Sequence, residues 1–185
     1  MLDAADPMES ASELGIVYWV TGLPGAGKTT VGRLFHEGLR ARRDAVVFLD
    51  GDILREVFGN DLTHSEADRR RSAMRNARLC RMLASQGIDV VCATISMFHE
   101  VHRWCREHIA RYHQVFLDVP FERLVERDQH QIYSRGLRGE LQHVYGIDIT
   151  PELPEAPEVR VDGRESPEEI VGGLLAYDAR IREIL

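Results

Sequence analysis

Gly22-Leu23-Pro24-Gly25-Ala26-Gly27-Lys28-Thr29 is the stretch whose reading decides the fold. It fits G-x-x-x-x-G-K-[ST], the phosphate-cradling P-loop. Upstream, Ile16-Val17-Tyr18-Trp19-Val20 is short, apolar and rich in β-branched and aromatic residues, so it predicts a buried strand. Downstream, Val31, Leu34, Phe35 and Leu39 recur at helical spacing. Strand, glycine loop and helix form the setting the motif needs. Gly22, Gly25 and Gly27 let the backbone turn and bring N–H groups, with Ala26 among them, close to phosphate oxygens. A helix starting near Lys28 adds its positive dipole end. Lys28 is expected at the β- and γ-phosphates of ATP, Thr29 on Mg²⁺, and Thr30 beside them. The alternative is a glycine-rich turn that binds nothing, and the strand–loop–helix context speaks against it.

Lys28 is the chain's single lysine among 23 lysines and arginines. In an arginine-biased composition, a lone lysine inside the loop marks a position that a planar guanidinium cannot fill.

The chain of 185 residues reads as one domain with a substantial core. Its net charge of −7 argues against non-specific nucleic-acid binding but allows a local basic pocket. Cys80, Cys92 and Cys105 are odd in number and lack C-x-x-C spacing, so they read as reduced, mostly buried thiols of a cytoplasmic protein. The N-terminus shows no basic region followed by an apolar one, so no signal peptide is expected. No apolar run approaches the ~18 residues of a membrane span.

Residues 1–13 are polar and acidic and predict a flexible tail, leaving 14–185 as a single domain. Ala45-Val46-Val47-Phe48-Leu49 predicts a second strand ending at Asp50-Gly51-Asp52, and carboxylates at such an end face the ligand crevice. A short helical piece covers Ile53 to Phe58. Ser65 then caps a long helix that runs to about Gln86, with Met74, Leu79, Met82 and Leu83 as its apolar positions. Asp89 to Ala93 and Val115 to Val119 predict further strands, and His99 to Arg111 a helix between them. Pro120 opens a helix to about Arg127, Val159 to Val161 is a last strand, and Ser166-Pro167-Glu168-Glu169 caps the final helix. Glycines, prolines and charges over about 129–158 suit a lid over a site, or an ordinary surface excursion. Alternating strands and helices predict a P-loop kinase-like three-layer α/β/α fold with a mainly parallel five-stranded sheet and a lid.

The features that would receive a phosphoryl group cluster after the second strand. Asp52 is expected to orient an acceptor hydroxyl or take its proton, and Asp50 to help hold Mg²⁺ through water. The competing reading has these acids capping the short helix. Arg55, Arg69, Arg70, Arg71, Arg75 and Arg78 make a basic stretch, most of it a solvated face. Arg55 and Arg69 flank the acids and suit an anionic small molecule better than a protein hydroxyl. His99 and His102 are three apart on a helix, but lack a third ligand and read as surface or core histidines rather than a metal site.

These residues carry a resemblance. Leu49-Asp50-Gly51-Asp52-Ile53-Leu54-Arg55, Ser65-Glu66-Ala67-Asp68-Arg69, Ile95-Ser96, Glu126-Arg127-Asp128, Tyr133, Gly139-Glu140 and Gly146-Ile147-Asp148 resemble the adenylylsulfate (APS) kinase family from about Gly15 to Glu169. That family transfers the ATP γ-phosphate to the ribose 3′-hydroxyl of adenylylsulfate. The resemblance implies Asp52 at the acceptor hydroxyl, Arg55 and Arg69 around its anionic groups, and the Ile95–Ser96 backbone near its base. It also implies Arg127 against the adenine of ATP, and a homodimer. The sequence departs from the family pattern at His64, usually a phenylalanine that stacks on the acceptor base, and at Ser72, usually an asparagine that contacts the acceptor. Met97 replaces a proline, His130-Gln131-Ile132-Tyr133 stands for Lys-Gly-Leu-Tyr, and Arg135 for a phosphate-facing lysine. Arg75 to Cys80 and Cys92 to Phe98 also resemble a divergent branch, some of whose members phosphorylate a cytidine diphosphoramidate. A non-catalytic nucleotide-binding module is disfavoured by the presence of both Lys28 and Asp52. A GTPase switch is disfavoured because no N-K-x-D is present.

Overall fold

A computed structural model describes residues 14–184, so the tail expected over residues 1–13 lies outside the described residues. Five strands form one sheet in the order β2-β3-β1-β4-β5. They are β1 (Val17–Gly22), β2 (Val46–Asp50), β3 (Asp89–Ala93), β4 (Tyr112–Leu117) and β5 (Val159–Val161), and all four pairings are parallel. Because side chains alternate across a strand, β1 feeds two cores at once. Tyr18 and Val20 join the core under α1 (Lys28–Arg40) and α7 (Pro167–Glu183). Val17 and Trp19 join the core under α3 (Glu66–Ala84) and α4 (His99–His108). Every β1 residue is buried, which is why its sequence is a continuous apolar run rather than an alternating one.

β1 is the middle strand, with β3 on one side and β4 on the other. The connection from β1 runs past β3 to β2 and the connection from β3 runs past β1 to β4, so the loop after β1 opens at the crevice where the strand order reverses. α1 lies close over that crevice's floor. A Cβ on Gly32 would come within 2.8 Å of the Phe48 ring and 3.2 Å of Ala93 Cβ.

β3 and β5 keep the expected bounds, and the edges of the other three strands shift by one to three residues, β4 beginning at Tyr112 rather than Val115. One packing expectation fails. Met82 is 52% exposed, and the buried face of α3 is made of Ala73, Asn76, Ala77, Cys80 and Ala84. Small residues let α3 approach the sheet closely, so the bulkier Met82 is turned outward. Cys80, Cys92 and Cys105 are free and buried, and burial pushes the Cys105 thiol up to about 12.

The lid stretch divides into anchored parts and an exposed tip. After α5 (Phe121–Arg127), a single 3₁₀ turn (Gln129–Gln131) leads to α6 (Ile132–Leu137). Asp128 sits in the left-handed region at φ 35, and its Oδ1 accepts from Tyr133 N at 2.9 Å and Ser134 N at 3.1 Å. Tyr133 is buried and its hydroxyl donates to Pro24 O at 2.8 Å, tying α6 to the P-loop. Val144, Tyr145 and Ile149 are also buried, and Glu152 accepts from Arg70 at 2.6 Å and from His99 N. Between these anchors, residues 137–140 are exposed, with Arg138 paired to Glu140 at 2.7 Å.

Candidate active site

The P-loop wraps the N-terminus of α1. Gly27, at φ 93, is the N-cap of that helix, and Gly25 stands at φ 78. Both are left-handed positions where a side chain would be strained. Gly25, Gly27, Lys28, Thr29 and Thr30 line a cavity of about 450 Å³. Gly22 and Ala26 do not line it but shape the loop from beneath. Gly22 packs so close to β4 that a Cβ would lie 2.7 Å from Leu117 O, and Ala26 N donates to Leu23 O at 3.1 Å. Lys28 Nζ donates to Leu23 O at 2.8 Å, closing its own loop. Desolvation lowers the Lys28 pKa to about 8, against the opposing pull of Asp52 and Asp50.

The end of β2 faces this loop. Thr29 Oγ1 donates to Asp50 Oδ2 at 2.7 Å. The other oxygen, Asp50 Oδ1, accepts from Asp52 N at 2.9 Å and caps α2 (Gly51–Val57). The capping alternative is therefore correct for Asp50, which caps and also meets Thr29. Asp52 lies in the first turn, and its carboxylate accepts no hydrogen bond among the described residues. It lines the cavity across from Lys28.

The far wall comes from α2, α3, the end of β3 and the lid stretch. Arg55, His64, Arg69, Ser72, Ile95 and Ser96 all line the same cavity. Arg55 donates to the carbonyls of Leu62 and Thr63. Arg69 donates to His64 O and His143 O, both at 2.8 Å, and lies 5.1 Å over the Tyr145 ring. Ser65 Oγ accepts from Asp68 N at 3.3 Å, so the cap that starts α3 also aims Arg69 inward. Burial lowers the His64 pKa, and Arg55 and Arg69 lower it further, which favours the neutral imidazole. Arg127 and Arg135 are exposed and do not line the cavity; Arg135 lies 3.9 Å from Glu140 instead. Arg70, Arg71 and Arg75 pair with carboxylates along the surface of α3, Arg75 with both oxygens of Asp61 at 2.9 Å.

Three features are not legible from the motifs. Thr21 Oγ1 donates to Ile95 O, linking the P-loop strand to the opposite wall. His102, read as one of a surface or core pair, is buried with Nε2 2.9 Å from Ser96 O, and burial lowers its pKa to about 4. His143, Tyr145, Gln129 and His130 bring the lid stretch into the lining. The sequence signal for His102 is its place on the apolar stripe of α4 with Val101 and Cys105.

A triphosphate loop and an unbonded carboxylate face each other across one cavity, with two guanidiniums on the far side. The family model described as adenylylsulphate kinase matches residues 14–162. The chain belongs to the adenylylsulphate kinase family. This kinase is 34% identical over 163 residues to the adenylyl-sulfate kinase of an Enterobacter species, covering 87% of this chain and 81% of that one. It is 35% identical over 140 residues to the cytidine diphosphoramidate kinase of Campylobacter jejuni, covering 76% of this chain and 82% of that one. Among solved structures it superposes with a TM-score of 0.81 on the APS kinase of Mycobacterium tuberculosis in complex with AMPPNP and APS. That pair is 31% identical, over 88% of this chain and 96% of the other. The protein is accordingly an ATP-dependent phosphotransferase.

Proposed function

We propose that this kinase moves the γ-phosphate of ATP to the ribose 3′-hydroxyl of adenylylsulfate. The observation that carries the reading is the placement of Asp52 opposite Lys28 and Thr29 in one cavity whose far wall holds Arg55 and Arg69. Asp52 takes the proton of the 3′-hydroxyl while its oxygen attacks the γ-phosphorus; the bond from that phosphorus to the β–γ bridging oxygen breaks, and ADP leaves. Lys28 neutralises charge on the phosphoryl oxygens as it spreads. Arg55 and Arg69 hold the acceptor's anionic groups, and the Ile95–Ser96 turn borders its base. A hydroxyl and a carboxylate oxygen 2.7 Å apart are a donor pair suited to a hard cation, so Thr29 and Asp50 are the residues we assign to Mg²⁺. Bound there, Mg²⁺ would neutralise charge on the β- and γ-phosphates. Arg127, at the end of α5, and Arg135, on α6, lie outside the cavity lining.

A second reading keeps the chemistry and changes the acceptor to a cytidine diphosphate-type nucleotide. His64 and Ser72 in the acceptor wall and the identity to the Campylobacter jejuni enzyme favour it. Both acceptors present a ribose 3′-hydroxyl beside an anhydride-linked anion. Purified protein with ATP and Mg²⁺ is to be offered adenylylsulfate and cytidine diphosphate derivatives in competition. Formation of 3′-phosphoadenylylsulfate as the dominant product supports the first reading, and a 3′-phosphorylated cytidine product the second. ATP binding without transfer to any nucleotide overturns both.

The homodimer implied by the family resemblance remains our proposal for the assembly. Ile53 and Val57 are 53% and 71% exposed one turn apart on α2, apolar side chains that an interface would cover. Light scattering on the purified protein tests it. We assign the protein to the cytoplasm, where ATP and a reducing environment suit its three free thiols. Among the described residues no helix is long and apolar enough to cross a membrane.

A further inference from the structure

Asn76 is 2% exposed, midway along α3. It is the polar exception on a buried face otherwise made of Ala73, Ala77, Cys80 and Ala84. It stands one helical turn beyond Ser72 and lines the same cavity. Its Oδ1 is fully buried and has no hydrogen-bond partner among the described residues. A buried amide oxygen without a partner costs free energy that leucine or alanine at the same place would not.

We infer that Asn76 pairs with the polar edge of the acceptor's nucleobase and thereby sets which base the enzyme accepts. The inference rests on the function proposed above and sharpens it. The charged groups of the cavity are accounted for by the charged and reacting parts of the substrates: the P-loop by the triphosphate, Asp52 by the hydroxyl, Arg55 and Arg69 by the acceptor's anion. The part of the acceptor left over is its uncharged base. The uncharged part of the lining includes Ser72, Ile95, Phe98 and the amide of Asn76, and of these Asn76 Oδ1 is the buried acceptor without a partner. A carboxamide presents an acceptor beside a donor, and an exocyclic amino group beside a ring nitrogen is its complement. Adenine and cytosine both offer that edge. Oδ1 is the atom that needs a partner, and the amino group supplies the N–H.

The test crosses the residue with the base. Wild type and Asn76→Leu are each assayed with the acceptor turned over in the competition above and with its deaminated counterpart, hypoxanthine for adenine or uracil for cytosine. Wild type is expected to prefer the amino-bearing acceptor by roughly 10- to 100-fold in kcat/KM, as for a site whose buried group is otherwise left unpaired. Asn76→Leu is expected to flatten that preference to within about threefold, to leave the KM for ATP unchanged, and to hold or raise Tm. If the leucine variant does not fold, Asn76→Ala goes through the same comparison. A preference that survives the substitution, or a loss of ATP affinity equal to the loss for the acceptor, overturns the assignment while leaving the proposed function standing. If wild type phosphorylates neither nucleotide, the proposed function and this inference fall together.

Discussion

The ammonium of Lys28 is held 2.8 Å from Leu23 O inside its own loop, and desolvation lowers its pKa to about 8. Unfolded, the same lysine keeps its proton to about pH 10.4. Between those values the unfolded chain carries the extra proton, so this group's contribution to stability rises with pH there. Binding works in the opposite sense, because phosphate favours the charged form. ATP binding at pH 9 is therefore expected to take up close to one proton, and at pH 6.5 almost none, read by calorimetry in buffers of different ionisation enthalpy. Lys28→Ala is expected to lower kcat/KM by roughly 10²- to 10³-fold or more. Asp52→Asn is expected to lower kcat by roughly 10²-fold or more with little change in ATP affinity; an equal loss in both would make Asp52 a binding residue. The residues of the donor half were legible because their spacing is local: glycines, lysine and threonine lie within eight positions. Asn76 was not. Its meaning depends on being the unpaired polar group in a buried face, a property of packing rather than of order along the chain.

Elements place those residues through their ends. Asp50 closes β2, caps α2 and meets Thr29, so one carboxylate fixes the entry to α2 that carries Asp52 and Arg55. Ser65 does the same for α3 and Arg69. Cap signals are short-range, which is why the Ser65 and Ser166 helix starts could be read directly; the latter forms a full capping box with Glu169. The lid stretch was legible only as an excursion. Its attachments are long-range, Tyr133 to Pro24 and Arg69 to His143 among them, and composition does not encode partners 109 or 74 residues away. Tyr133→Phe is expected to cost about 1 kcal/mol in denaturant unfolding by removing one hydrogen bond. If α6 steadies the P-loop, the same variant raises the KM for ATP several-fold while the acceptor KM holds; an unchanged ATP KM would show that the contact serves the fold alone.

The molecule as a whole is closed on the side away from the cavity by a buried charge network. Asp178, on α7, accepts from the Tyr18 hydroxyl, from Arg43 and from Arg182, while Asp89, at the start of β3, accepts from Ile16 N and from the same two arginines. Burial works to raise the Asp178 pKa, but the hydrogen bonds from Arg43, Tyr18 and Arg182 prevail and leave it lowered. A carboxylate with a depressed folded pKa contributes stability above its unfolded value of about 3.9, lost as pH falls through the folded one. Acid unfolding should therefore steepen below about pH 4, and Asp178→Asn should weaken that dependence. Asp178→Ala is expected to cost about 3–5 kcal/mol, because two arginines and a tyrosine lose a buried partner. The sequence by itself determined the layer order and the donor site, since strand runs, helix periods and the P-loop are written in neighbouring residues. Only the tertiary structure decided the acceptor wall and this network. Their members come from β1, the turn after α1, α2, α3, β3, the lid stretch and α7, and the chemistry each performs exists only once the sheet has brought them together.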